Sequence, residues 1–102
     1  MNELPIIWEP TPITPEQEQE IFDVLFNANR RAMLRRLADG RRYRTKELAG
    51  AARCAMPLAS AHLRTLLKAK LVVKEAGLYR MPDGLQPQPG VLRLGPVLWR
   101  VV

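Results

Sequence analysis

Several residue types are scarce in this chain, and each shortage excludes something. One cysteine, Cys54, stands among 102 residues, so no intrachain disulfide can form. A thiolate metal site needs more ligands than one, and a lone thiol fits a reducing cytosol. One histidine, His62, is equally short of a ligand cluster. Aromatic residues make up 6%, so aliphatic side chains must carry the packing. No apolar run reaches the roughly 18 residues of a membrane span. Glu3, Pro5 and Glu9 stand where a secretory signal wants positive charge and an apolar run. There is no Gly-rich phosphate loop, no metal-ligand spacing and no nucleophile–base pair with supporting residues. The expectation is a cytoplasmic protein that is not an enzyme, holds no cofactor or metal, and has no membrane partner.

Positive charge is missing from the first 27 residues, which carry Glu3, Glu9, Glu16, Glu18, Glu20 and Asp23. All 16 Lys and Arg follow, against only Asp39, Glu47, Glu75 and Asp83. A net charge of +6 therefore conceals a −6 segment and a +12 body. Such a body attracts a polyanion. The length suits one domain, and 47% hydrophobic content suffices for a core but not for a deep substrate cleft.

The local signals run in a clear order. Pro5, Pro10 and Pro12 predict an extended arm over 1–14, and the apolar Ile6, Ile7 and Trp8 give it something to dock with. Thr14-Pro15-Glu16-Gln17 predicts the start of a helix over 15–26, with Ile21, Phe22, Leu25 and Phe26 as its apolar stripe. Asn27 caps a second helix, 28–39, buried through Met33, Leu34 and Leu37 and stopped by Gly40. Thr45 is read as the cap of a third, 46–52, with Leu48, Ala49 and Ala52 inward. Pro57 opens a fourth, 57–69, with Ala59, Leu63, Leu66 and Leu67 on one face. Residues 71–75 and 78–81 flank the two-residue turn Ala76-Gly77 as a hairpin. After a loop at 85–90, the tail predicts one or two strands broken at Gly95-Pro96.

Short helix, tight turn, second helix and hairpin is the order of a winged helix-turn-helix. Residues 27–40 (NANRRAMLRRLADG) resemble the opening helix of ArsR-like winged-helix regulators. Residues 45–49 (TKELA) resemble the first helix of that family's reading pair, and 61–73 (AHLRTLLKAKLVV) its recognition helix running into the wing. The resemblance covers about residues 27–82. It implies a mainly α fold with a small β component, double-stranded DNA as partner, a homodimer, and transcriptional repression. Metal-sensing members carry paired thiols or Asp and His clusters. Here Lys46-Glu47-Leu48 stands where a cysteine pair often sits, so the implied regulator lacks a metal-sensing site. Pro57 and Leu58 replace hydroxyl residues at the start of the recognition helix, Ser60 is retained, and Ala61 stands where Arg is frequent. Lys70 occupies a helix end where Gly is common and φ > 0 is needed.

The resulting candidates form three groups. Ser60 and Arg64, one turn apart, could face a major groove, where Arg pairs with guanine. Arg41, Arg42, Arg44, Thr45, Lys46, Lys68, Lys74 and Arg80 flank the reading pair and the wing as phosphate candidates. Pro57, Leu58, Ala61 and His62 complete the DNA-facing set. Leu58 and Ala61 suit thymine methyl groups or, alternatively, a protein partner, and His62 suits packing or a phosphate contact. Cys54 reads as a small buried residue. Phe22 and Phe26 on helix one, with Trp8 and Trp99 in the two unmatched ends, are the dimer-interface candidates. The domain plan is an arm (1–14), a winged domain (15–84), and a strand-like extension (85–102) packed on the same domain or on a dimer partner.

Overall fold

The structure is a computed structural model that describes residues 6–8, 14–85, 91–94 and 97–100. Among the described residues the elements are, in order, β1 (Ile6–Trp8), α1 (Pro15–Leu25), α2 (Ala28–Leu37), α3 (Thr45–Ala52), α4 (Met56–Lys68), β2 (Val73–Glu75), β3 (Leu78–Arg80), β4 (Val91–Leu94) and β5 (Val97–Arg100). α2 packs against α1, α3 and α4, and α3 packs against α4. Met33, Leu34 and Leu37 of α2 are fully buried among Leu48 of α3 and Leu63 and Leu66 of α4. Their spacing puts all three α2 residues on one helical face, which is why that helix sits at the centre.

The α1 stripe divides. Val24 and Leu25 are buried and Ile21 packs against the core, whereas Phe22 stacks on Phe26 with ring centroids 5.9 Å apart. Phe26 remains 77% exposed. A short chain leaves one side of α1 uncovered, so a helical stripe wider than the available core splits between inside and outside.

Caps fix the helix ends. Asn27 accepts the Arg30 backbone N–H at 3.0 Å, as its sequence position predicts. Thr45 differs from the expectation: it is the first residue of α3, and Arg44 precedes it in extended conformation. The Glu47 carboxylate accepts the Arg44 backbone N–H at 2.8 Å, which ties the helix start without a hydroxyl cap. α4 starts at Met56 with Pro57 second, where a missing N–H disrupts no intrahelical bond.

Two non-glycine residues in left-handed conformation bracket α4. Arg53 (φ 54°) closes α3, with Cys54 N–H donating to the Ala49 carbonyl at 3.1 Å. Lys70 (φ 62°) closes α4, with Leu71 N–H donating to Leu66 O at 2.9 Å and Lys70 N–H to Leu67 O at 3.0 Å. Both are the six-to-one closure of a Schellman turn, which aims α4 and then swings the chain into the wing. A side chain at such a φ costs about 1–2 kcal/mol, against about 0.4–1 kcal/mol of extra unfolded-chain entropy for glycine. Lys70→Gly is therefore expected to stabilise the domain by about 0.5 kcal/mol, raising Tm by roughly 2–4 °C in a thermal melt.

Leu71 and Val72, included in the predicted strand, are buried ahead of it, and β2 begins at Val73. β2 and β3 pair antiparallel, with Val73 opposite Arg80 and Glu75 opposite Leu78. Ala76 (φ 51°) and Gly77 (φ 80°) make the tight turn between them, both left-handed. The stretch 41–44, between α2 and α3, is tied to this hairpin. Tyr43 N–H donates to Tyr79 O at 2.9 Å and Tyr79 N–H to Tyr43 O at 2.7 Å, an antiparallel bridge.

A separate three-stranded sheet has the order β1-β5-β4, all antiparallel. Ile6 pairs with Trp99 and Trp8 with Val97, so the two strand-like ends meet within one chain. β4 ends at Leu94 and β5 begins at Val97, and the expected break at Gly95-Pro96 lies outside the described residues. The remainder of the arm, the side chains of Trp8 and Trp99, and residues 86–90 lie outside the described residues. None of the described helices is long and apolar enough to cross a membrane.

Candidate nucleic-acid interface

α3 and α4 pack together and are joined through Arg53. On α4, Pro57, Leu58, Arg64 and Lys68 are exposed, and Ser60, Ala61 and Thr65 are half-buried. Residues 57, 61, 64 and 68 recur at helical spacing, so they share the face opposite Ala59, Leu63 and Leu66. Thr65 Oγ1 donates to the Ala61 carbonyl at 3.2 Å, which turns its hydroxyl inward. Arg41, Arg42, Arg44 and Lys46 are exposed around the start of α3, and Thr45 is half-buried beside them. Ala55 precedes α4 without a side-chain cap, and no acid lies in its first turn. Its positive dipole end is therefore not neutralised locally.

The start of α4 is apolar. Met56 is 46% exposed and Leu58 45%. Met56 lies one residue before the helix start that Pro57 predicts, so the sequence alone leaves it off this face.

His62, read as a packing residue or a phosphate contact, lies on the inner side of α4. It is only 7% exposed and turns toward α2. Arg30 Nε donates to its Nδ1 at 3.2 Å, and the Asn29 amide lies 3.5 Å from Nε2. An Nδ1 that accepts this bond carries no proton, so the contact favours the neutral ring over the charged one. The arginines of α2 also serve α1, which has no basic residue in its last turn. Arg30 Nη1 donates to Asp23 O at 3.4 Å, and Arg31 Nη1 donates to the Leu25 carbonyl. Two guanidinium groups thus meet the negative end of the α1 dipole. Helical spacing sets Arg30 and Arg31 apart from the buried Met33, Leu34 and Leu37 but does not reveal these partners.

Burial, and then the Arg30 charge, lower the His62 pKa from its ordinary 6.5. The unfolded chain then binds a proton at pH values where the folded chain does not. The stabilisation is complete above about pH 6.5 and is lost as pH falls through the lowered value. The urea midpoint is expected to be lower at pH 5.5 than at pH 7.5, and His62→Asn to remove most of that difference. Equal wild-type midpoints at the two pH values would count against this assignment.

Arg80, a phosphate candidate, is ion-paired within the wing. It forms a bidentate pair with Glu75, Nε to Oε1 at 2.9 Å and Nη2 to Oε2 at 3.2 Å. Its Nη1 also donates to Met81 O at 3.0 Å and lies 3.5 Å from Asp83. Arg42 Nη2 approaches the same Glu75 carboxylate at 3.7 Å. The Arg80 guanidinium, with lesser help from Arg42, holds Glu75 below the usual carboxylate range. Lys74 instead points to the other face, its Nζ 5.4 Å above the Tyr79 ring. The hairpin register contained the signal: with a two-residue turn at 76–77, Glu75 and Arg80 are diagonal neighbours on one face.

Asp39 organises the loop between α2 and the wing. It accepts the Arg41 N–H at 2.8 Å and the Tyr43 hydroxyl proton. That hydrogen bond and burial raise the Tyr43 pKa. Cys54 is half-buried beside the core in the turn between α3 and α4. Among the described residues, no three of His, Cys, Asp and Glu come together as metal ligands.

No protein-family model and no curated protein matches the chain. The fold is nevertheless similar to a solved one. The solution NMR structure of Mb0332 residues 1–100 from Mycobacterium bovis superposes with a TM-score of 0.55 and 27% identity. The match covers 65% of this chain and 64% of that one, so it spans slightly under two thirds of the solved domain. That domain is described as a homodimeric winged helix-turn-helix DNA-binding domain of a possible ArsR-family transcriptional regulator. Four helices followed by a two-stranded antiparallel wing make this chain a winged helix-turn-helix.

Proposed function

We propose that the protein is a DNA-binding transcriptional regulator, an ArsR-like repressor that works as a homodimer in the cytoplasm without a metal-sensing site. One observation carries the reading: the exposed face of α4 bears Arg64 and Lys68, and Arg41, Arg42, Arg44 and Lys46 surround the start of α3 beside it. Placed in a major groove, α4 sets Ser60 and Arg64 toward base edges, while the flanking charges meet phosphates. The similarity to a DNA-binding winged domain supports this reading. Dimerisation is supported by the homodimeric state of that domain and by the stacked Phe22–Phe26 pair, which leaves Phe26 largely uncovered on α1. A two-fold dimer presents two α4 helices to successive major grooves, about 34 Å apart.

Titrating a labelled duplex at several salt concentrations tests the reading. Affinity is expected to fall with a log–log slope near −0.9 for each phosphate neutralised. Duplex binding that is absent, or indifferent to salt, overturns it.

The apolar start of α4, with Met56 and Leu58 each nearly half exposed, favours one alternative, a protein-interaction module. Two variants separate the readings. If Leu58→Ser abolishes capture of a protein partner and no variant binds DNA, the interaction module is correct. If the Arg64→Ala, Lys68→Ala double variant alone loses duplex binding, the regulator is correct.

A further inference from the structure

We propose that Glu75 is a built-in competitor for DNA phosphate at the wing, occupying two arginines that the backbone of a bound duplex would otherwise engage. The inference rests on the DNA-binding reading and adds an affinity-setting residue to that surface. A carboxylate and a phosphate oxygen offer a guanidinium the same planar, two-point acceptor. Arg80 already satisfies that geometry on Glu75 through both its Nε and Nη2. Its remaining Nη1 is directed to the Met81 carbonyl, so the group is held rather than free to swing outward. Arg42 reaches the same carboxylate from the 41–44 stretch, which the Tyr43–Tyr79 bridge fastens to the wing.

Position makes the competition effective. Gly40, Arg42, Arg80 and Asp83 line one polar hollow at the base of the wing. The Glu75 side chain is 48% exposed and that of Arg42 59%, so the pair lies at the surface where a phosphate would arrive. The wing tip itself, Ala76-Gly77, carries no charge. The grip of the hairpin on a backbone therefore depends on Lys74, Arg80 and neighbouring Arg42, and one carboxylate restrains two of these three. Its negative charge also repels an incoming phosphate directly.

The test compares binding of a short random-sequence duplex by the full chain and four variants, read by fluorescence anisotropy across salt concentrations. Glu75→Gln is expected to tighten binding roughly three- to tenfold and to steepen the salt slope by about 0.9 per arginine released. Glu20→Gln makes the same charge change on exposed α1 and is expected to stay within about twofold of wild type, being screened from the wing. Arg80→Gln is expected to cost less affinity in the wild-type chain than in the Glu75→Gln background, because Glu75 engages Arg80 before DNA arrives. Added to Glu75→Gln, it is expected to remove at least half of the gain. Equal tightening by Glu75→Gln and Glu20→Gln, no tightening by either, or an equal fractional loss from Arg80→Gln in both backgrounds overturns the proposal while the DNA-binding reading stands. Absence of binding by every form overturns both.

Discussion

Leu34→Ala is expected to destabilise the protein by about 2–5 kcal/mol, read as a fall in the urea midpoint with an unchanged slope. Leu34 is fully buried on α2, the helix that packs against all three others. Removing its isobutyl group withdraws apolar surface from the core and leaves a cavity that several rigid elements line, so collapse is limited. A domain of this size has a total stability of about 5–15 kcal/mol, so the variant is expected to approach marginal folding. Lys68→Ala, on an exposed face, is expected to change stability by no more than about 0.5 kcal/mol. A change below about 1 kcal/mol for Leu34→Ala would mean that α2 is not the centre of the core.

Arg64→Ala is expected to weaken binding to a preferred duplex by about tenfold to a hundredfold, corresponding to one bidentate base pairing of about 1–3 kcal/mol. Preference at one position of the site should relax with it. Lys68→Ala, one turn further along α4, should behave differently, weakening binding to all duplexes alike and reducing the salt slope by about 0.9. Selection of bound duplexes from a random pool, followed by salt titration of the two variants, separates the roles. Equal, sequence-independent losses for both would assign Arg64 to phosphate contact. The apolar first turn of α4 makes this contrast informative, since Met56, Pro57 and Leu58 offer no side-chain hydrogen bonds to bases.

Much of the frame was legible because its signals are local. Asn27 is a cap and Ala76-Gly77 a tight turn, as their residue types require, whereas α2 ends at Leu37, short of Gly40, which takes a left-handed φ of 83° in the turn beyond. Lys70 was recognised as a side chain where φ > 0 is required, and it adopts 62°. Arg53 was not foreseen in the same conformation. Nothing in an Ala-Ala-Arg-Cys stretch distinguishes a left-handed residue from one more helical residue. Only the need to turn α4 back across α3 selects it.

The charge pattern shows the same boundary. Sequence by itself determined the order of helices and hairpin, the buried face of α2, and an acidic start followed by a strongly basic body. Those follow from propensity, periodicity and counting, which act over a few residues at a time. Tertiary structure decided which basic residues remain available. It turned Arg30 onto His62 and the end of α1, clamped Arg80 on Glu75, and left Arg64 and Lys68 exposed on α4. An arginine side chain is long and its charge is permanent, so its partner depends on which elements the fold brings within reach.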